Sequence, residues 1–422
     1  NMFGVDRKYK YLPLWAVSGA WNINREAFLS DADWLSDLKL RASYGVQGNV
    51  DKDTSPLVVG EWDNTQVLPD NSESNIIVSS PPNQYLRWEK TTNWNGGLDV
   101  AVLGNRIAFT ADVYRRVSDD LIGMRSLPGE NGFDYSTMNW AKLTNRGYEL
   151  SLSTVNVKTK DFRWVMDFNL AHNKSKINRL NVRDNSYEPS REGYSVGAVF
   201  SLKTAGLDEN GLQMFYNKQG EKVSFNDFFG LEYGYMMGGL IPFLKSNLSA
   251  EEYRNLFTYE GTTEPKFTGG WINRFYYKNF DLTVSASFVL DQTVQEQPFY
   301  NPVQTSPGQN YSRRMSQIWS PDNTSGKYPR IMGTYTEGEE NWAYQWLGML
   351  DPGNSYRKYD YWFKKMSYMR INSIRLGYTF PERLLGHIGF SSARISFEAR
   401  NPFVFGSSYK GYFDPETYGN IY

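Results

Sequence analysis

Few residues in this chain are of a type and spacing that could perform chemistry. Adjacent acids occur at Asp119-Asp120 and Glu339-Glu340. A glycosidase needs two carboxylates in separate roles, roughly 5–10 Å apart. Neighbouring acids in a polar stretch are far more often solvated or ion-paired, so no catalytic residue is assigned. Asp208-Glu209-Asn210-Gly211 resembles a calcium loop in outline only, because the spaced ligands and the distal glutamate are lacking. A turn is the better reading, and no metal site is assigned. The two histidines, His172 and His387, stand far apart in sequence, and cysteine is absent. Thiolate–metal sites, disulfides and thiol redox chemistry are therefore excluded. The sequence has neither a glycine-rich phosphate loop ending in Lys-Ser/Thr nor a Gly-x-Ser-x-Gly elbow.

What remains is recognition by rings. Trp342, Tyr344, Trp346, Tyr356, Tyr359, Tyr361 and Trp362 crowd one polar stretch. Exposed, they would stack on sugar faces or peptide side chains; Trp342, Tyr344, Trp346, Tyr356 and Tyr359 are the substrate-binding candidates. The competing reading is that the same rings pack the loop or meet a partner protein.

The elements that position these residues are strands. Mean hydropathy is −0.58, and no run approaches the roughly 20 apolar residues of a membrane helix. The longest candidate, 231–244, is broken by Glu232 and by glycines. Helical periodicity is confined to 249–257, with Ser249 as N-cap. Period-two alternation recurs instead from end to end. Trp15, Val17, Trp21 and Ile23 share a face, as do Leu38, Leu40, Ala42, Tyr44 and Val46. Hairpins are expected at 93–114, turning at Gly104-Asn105, and at 271–290, turning at Lys278-Asn279; pairs are expected at 148–154 with 162–170 and at 371–380 with 393–400. Strands of about 9–11 residues match a tilted bilayer crossing. Tight turns alternate with polar stretches at 47–93, 115–147, 218–265 and 291–367, the rim asymmetry of outer-membrane barrels.

Aromatic residues make up 16% of the chain, which suits interfacial girdles but also soluble glycan-binding proteins. The net charge of −1, without runs of one sign, argues against nucleic-acid binding. Inward-facing Arg106, Arg163, Arg375, Arg394 and Arg400 are expected to pair with Asp99, Asp112, Asp167 or Glu398 across strands. The fold class expected is all-β: a transmembrane antiparallel β-barrel with long extracellular loops. A secreted aromatic-rich glycan-binding module or glycosidase is the alternative, and a passive porin a third.

Seven segments, in order, carry a family resemblance: 38–49, 83–122, 145–152, 162–180, 265–288, 368–385 and 393–416. LKLRASYGVQGN, NRGYELSL and ARISFEARNPFVFGSSYKGYFDPE are three of them. Together they resemble the SusC/RagA family of TonB-dependent outer-membrane transporters of Gram-negative bacteria. The resemblance implies a barrel of about twenty-two strands, closed by an N-terminal plug and covered by a SusD-like lipoprotein lid. It also implies energising by TonB through a preceding region, contact with outer-membrane lipids, glycan or peptide cargo, no cofactor, and a dimer of transporter–lipoprotein pairs. Residues 1–422 would be the C-terminal part of the barrel, without the plug and without a closing strand after Asp414-Pro415-Glu416. The ten to twelve strands legible here, about half a barrel of that size, would leave edges open in lipid. The chain is therefore expected to belong to a longer polypeptide.

Overall fold

The computed structural model describes residues 11–52, 54–68, 71–133, 135–181, 185–236, 241–306, 308–332, 339–385, 390–406 and 414–416. The chain opens with β1 (Trp15–Asn22) and β2 (Leu35–Asn49), followed by an outlying hairpin, β3 (Val59–Leu68) and β4 (Asn71–Ser80). Four long strands come next: β5 (Glu89–Val102), β6 (Ile107–Ser126), β7 (Tyr135–Lys158) and β8 (Phe162–Arg179). A loop region then carries β9 (Ala198–Ser201), β10 (Thr204–Leu207), β11 (Gln213–Tyr216), β12 (Lys222–Val223), α1 (Phe225–Phe229), β13 (Leu231–Met236), β14 (Ile241–Ser246), α2 (Ala250–Arg254) and β15 (Thr258–Thr262). The hairpin β16 (Phe267–Tyr277) and β17 (Phe280–Gln295) returns to the wall. A second loop region holding α3 (Glu339–Gln345) leads to β18 (Phe363–Thr379), α4 (Glu382–Leu385) and β19 (Arg394–Phe405).

Ten of these strands form one antiparallel sheet in the order β1-β2-β5-β6-β7-β8-β16-β17-β18-β19. The tight turns fall where expected. Leu103, Gly104 and Asn105 all take positive φ between β5 and β6, and Lys278 does so between β16 and β17. The register then pairs Val102 with Ile107 and Tyr277 with Phe280, which sets every side chain's face. One face presents Val17, Trp94 and Phe397 at 62%, 53% and 71% exposure. A protein surrounded by water rarely presents such a continuous apolar surface; lipid is its natural solvent. Asn273 lies on this face among Trp271 and Phe275, yet it is buried, its side-chain oxygen accepting the Trp164 indole N–H at 2.9 Å. Among the described residues no helix is long and apolar enough to cross a membrane.

Two expectations change. The sheet's strands run to 24 residues in β7 and 20 in β6, well past the 9–11 that cross a bilayer. The stretch 115–147, expected as a loop, is mostly the continuation of these two strands. Its charges conceal the alternation because both faces are wet above the hydrocarbon layer. Helix α2 appears as expected, with Ser249 and Glu252 forming a reciprocal capping box.

Candidate functional site

Four of the carboxylates singled out from the sequence, Asp119, Asp120, Asp208 and Glu340, have structural partners. In β6, Asp120 receives Arg87 through two hydrogen bonds of 2.6 and 3.0 Å, and Asp119 ion-pairs Lys142 at 2.8 Å. Glu340, in α3, meets Arg330 at 3.2 Å. Asp208 closes a turn, its Oδ1 accepting the backbone N–H groups of Asn210 and Leu212. No cluster of three metal-ligating side chains occurs among the described residues. His172 donates from Nδ1 to the Lys266 carbonyl; His387 lies outside the described residues.

The polar face of the sheet carries ion pairs, with partners other than those expected. Arg41, not one of the named arginines, takes both Asp99 (2.8 and 3.1 Å) and Asp112 (3.0 and 3.0 Å). Asp167 pairs with Arg274, and Arg394 with Asp281 at 2.7 Å. Arg400 reaches Glu398 at 3.4 Å, but along its own strand β19 rather than across strands. Arg106 donates instead to the carbonyls of Val155 and Asn156, and Arg163 lies 5.9 Å from the Tyr276 ring centre. Arg375 stands opposite Glu398 in the register.

Above one rim, the two loop regions fold together around an apolar core built from Phe215, Phe225, Phe228, Phe229, Tyr253 and Trp362, among others. Phe215 stacks on Phe228 at 4.2 Å, and Trp362 on Tyr328 at 5.5 Å. The aromatic stretch divides here. Trp346, Tyr356 and Tyr359 are buried in this core. The Trp362 indole donates to the Tyr356 carbonyl at 3.0 Å. For these three, packing is what the structure shows, because the loop layer needs an apolar interior of its own. Trp342 and Tyr344 are half-buried at its margin, Trp342 edge-on to Tyr233 at 4.8 Å. Burial pushes the hydroxyls of Tyr253, Tyr300, Tyr356 and Tyr359 well above the usual tyrosine range, with the Asp351 carboxylate adding to the effect at Tyr253. Two of these hydroxyls have acceptors: Tyr253 donates to Asp351 at 2.9 Å and Tyr300 to the Pro329 carbonyl at 2.5 Å.

Beside this layer opens a cleft of about 1050 Å³ between the top of β17, segments 297–304 and 347–357, and residues 415–416. Six carboxamides line it: Gln292, Gln295, Gln297, Asn301, Gln304 and Asn354. Phe299 adds ring surface, and only the edges of the buried Tyr300 and Tyr356 reach the cleft. Glu296 is held by Arg314, whose guanidinium lies 4.5 Å from the Phe299 ring centre and donates to the Tyr328 hydroxyl at 2.7 Å. Arg370, almost fully buried, ion-pairs Asp414 and, at 3.0 Å, Glu416, tying segment 414–416 against β18. Neutral amides supply donors and acceptors together, so the cleft suits polyhydroxylated or amide-rich ligands over ions. Sequence reasoning missed this lining; the signal was Gln292-Thr-Val-Gln295-Glu-Gln297, read as a loop.

Residues 3–235 match the family model described as TonB dependent receptor-like, beta-barrel. The chain is 28% identical over 433 residues to TonB-dependent receptor P3 of Formosa agariphila, covering 98% of this chain and 39% of that protein. It is likewise 28% identical over 434 residues to TonB-dependent receptor SusC of Bacteroides thetaiotaomicron, covering 100% of this chain and 39% of that one. The chain thus spans about two-fifths of the length of the curated relatives it matches. Among solved structures, the RagAB peptide transporter superposes with a TM-score of 0.70 at 22% identity, over 97% of this chain and 41% of that one. The RagAB peptide importer in its open-open state gives 0.68. Both structural likenesses show the fold.

Proposed function

Because the chain belongs to the TonB-dependent receptor-like β-barrel family, we propose that it forms the barrel portion of a SusC-like outer-membrane importer. Its cargo is oligosaccharide or oligopeptide, and its partner a SusD-like surface lipoprotein acting as lid. TonB engages through the region preceding this one, and the host is a Gram-negative bacterium. The observation that carries the reading is the carboxamide-lined cleft of about 1050 Å³ at the loop end of the sheet. It is far larger than a single sugar or amino acid requires, and its six carboxamides outnumber the charged Glu296, Asp351, Arg357 and Glu416 on its walls. Trp342 and Tyr344, half-exposed at the margin of the loop layer, supply stacking surface to arriving cargo. The apolar face bathes in lipid and the ion-paired face lines the path inward.

The test is binding of defined oligosaccharides and oligopeptides to the full-length transporter in mild detergent, paired with uptake by cells with and without TonB. The expected result is saturable binding of one cargo class, weakened about tenfold by joint Gln295→Ala and Gln297→Ala, through loss of two ligand hydrogen bonds. Uptake that proceeds unchanged without TonB, with no binding of either class, overturns the proposal.

A further inference from the structure

Three arginines of the polar face are neutralised by carboxylates, whereas among the described residues a cluster of cations on the apolar face is not. Arg41, Arg274 and Arg394 each have a carboxylate on the polar face. On the apolar face, one row of paired residues crosses six strands: Val17, Tyr44, Trp94, Arg115, Arg146 and Lys174. The first three are exposed and apolar or aromatic. The last three are exposed cations placed side by side, and Lys176 follows one pleat higher, opposite Thr144. Among the described residues, none of these four cations has a carboxylate within ion-pair distance. Like charges directly opposite one another across strands are destabilising. Three in a row call for an external counter-charge.

Their height says which. Trp94 lies eight residues above Val102, the last residue of β5 before its tight turn. At usual strand rise and tilt that is roughly 20 Å, near the top of an apolar band about 25 Å tall. The row therefore meets lipid head groups, at a depth where a cation on the lipid face costs little. Beneath it, Val113, Tyr148 and Ala111 offer apolar contact. Beside it lies a cavity of about 1150 Å³ lined by Arg115, Arg146, Lys174 and Lys176, with Tyr194 stacked on Tyr259 at 4.7 Å along its margin. Of the carboxylates lining it, Glu260 is engaged by Lys203 and Ser201 and Glu264 by Ser175; Asp291 also lines it, as does Lys365.

We infer that Arg115, Arg146, Lys174 and Lys176 form a binding site for the phosphate-bearing head group of an outer-leaflet lipid, whose acyl chains lie along the apolar face below. Arginine forks bind phosphate oxygens in pairs, and each basic group near an anionic membrane surface strengthens attachment about fivefold. The inference rests on the reading of this chain as part of an outer-membrane barrel, and its test separates the two.

Full-length transporter is extracted in mild detergent and its retained lipid counted by native mass spectrometry. Phosphorylated lipid A, the same lipid with its phosphates removed, and inorganic phosphate serve as probes. The combined variant Arg115→Gln, Arg146→Gln and Lys174→Gln is compared with Lys158→Gln, Lys160→Gln and Lys278→Gln at the opposite rim. The expected result is one retained phosphorylated lipid, roughly a hundredfold weaker in the first variant and unchanged in the second, with little binding of the dephosphorylated lipid. Equal retention of both lipids, or equal loss in both variants, overturns the site. Displacement by millimolar inorganic phosphate alone overturns the lipid as its occupant. Heat-modifiable gel migration is read on each sample: if it is absent from the parent protein, the barrel reading fails; if present without lipid retention, only the site fails.

Discussion

The guanidinium of Arg41 lies directly over Gly97: a β-carbon added there would stand 2.6 Å from the guanidinium carbon and 2.7 Å from Asp112 Oδ1. The same device recurs at Gly377, where an added β-carbon would come within 2.6 Å of Asp281 Oδ1 and collide with Arg394. Glycine is thus placed where an ion pair must lie flat across a strand. Gly97→Val is expected to lift Arg41 off both carboxylates and cost about 1–3 kcal/mol, the pair being partly exposed. Gly96→Val, which points to the apolar face and meets only Val113 at 3.7 Å, should cost little. The temperature at which heat-modifiable migration is lost orders the two variants, and equal shifts would refute the account.

Trp362→Ala or Phe215→Ala removes a fully buried ring from the loop core and should destabilise that layer by about 3–5 kcal/mol. Limited proteolysis is expected to cut within 198–257 and 296–362 while the wall strands stay resistant. Trp342→Ala, at the margin, should leave the proteolysis pattern unchanged and weaken cargo binding instead.

Alkali should loosen the same layer before it affects the wall. The hydroxyls of Tyr253, Tyr300, Tyr356 and Tyr359 are held above their ordinary value when folded, against about 10 when unfolded. In that interval the folded state binds more protons than the unfolded one, so stability falls as pH rises. The contribution is complete below about pH 10 and declines above it. Ultraviolet phenolate absorbance should therefore appear late and together with new protease cleavage. Smooth titration near the ordinary tyrosine value, without loosening, would contradict the burial.

Asn139 latches the segment before β5. Its Nδ2 donates to the Arg87 and Asp120 carbonyls, both at 2.7 Å, and its Oδ1 accepts the Arg87 N–H at 2.8 Å. Asp120 has φ of 58° at a bulge in β6, which turns its carbonyl to that position. Asn139→Ala should cost about 2–4 kcal/mol locally. Hydrogen exchange should quicken at Leu86, the fully buried residue next to Arg87, and remain slow at Leu150.

The wall was legible in the sequence because two rules act on it without competition. Lipid on one side and polar contacts on the other force alternation, and Gly104-Asn105 and Lys278-Asn279 permit the positive φ that tight turns demand. Family resemblance then supplied the larger architecture. Polar-face pairing was less legible, since Arg41 reaches Asp112 two strands away, beyond nearest-neighbour reasoning. The loop core was legible only in part: packing was one reading of the 342–362 rings, but their partners from 202–257 were not foreseen. Phe215, Phe229, Tyr253, Trp346 and Trp362 come from segments with no shared period, so a buried ring and a substrate-stacking ring look alike in the chain. Helix α1 was missed for a related reason. Its five residues are too few to show periodicity, although Ser224 caps it by accepting the Asp227 N–H.

The loop core is assembled from two stretches that flank the β16–β17 hairpin. Its halves cannot meet until both have crossed to the same side of the membrane and the hairpin between them has paired with β8. Closing such distant contacts is slow, so this layer is the last part of the chain to acquire its native form. Until then its phenylalanines and tryptophans stay exposed, a surface that invites aggregation.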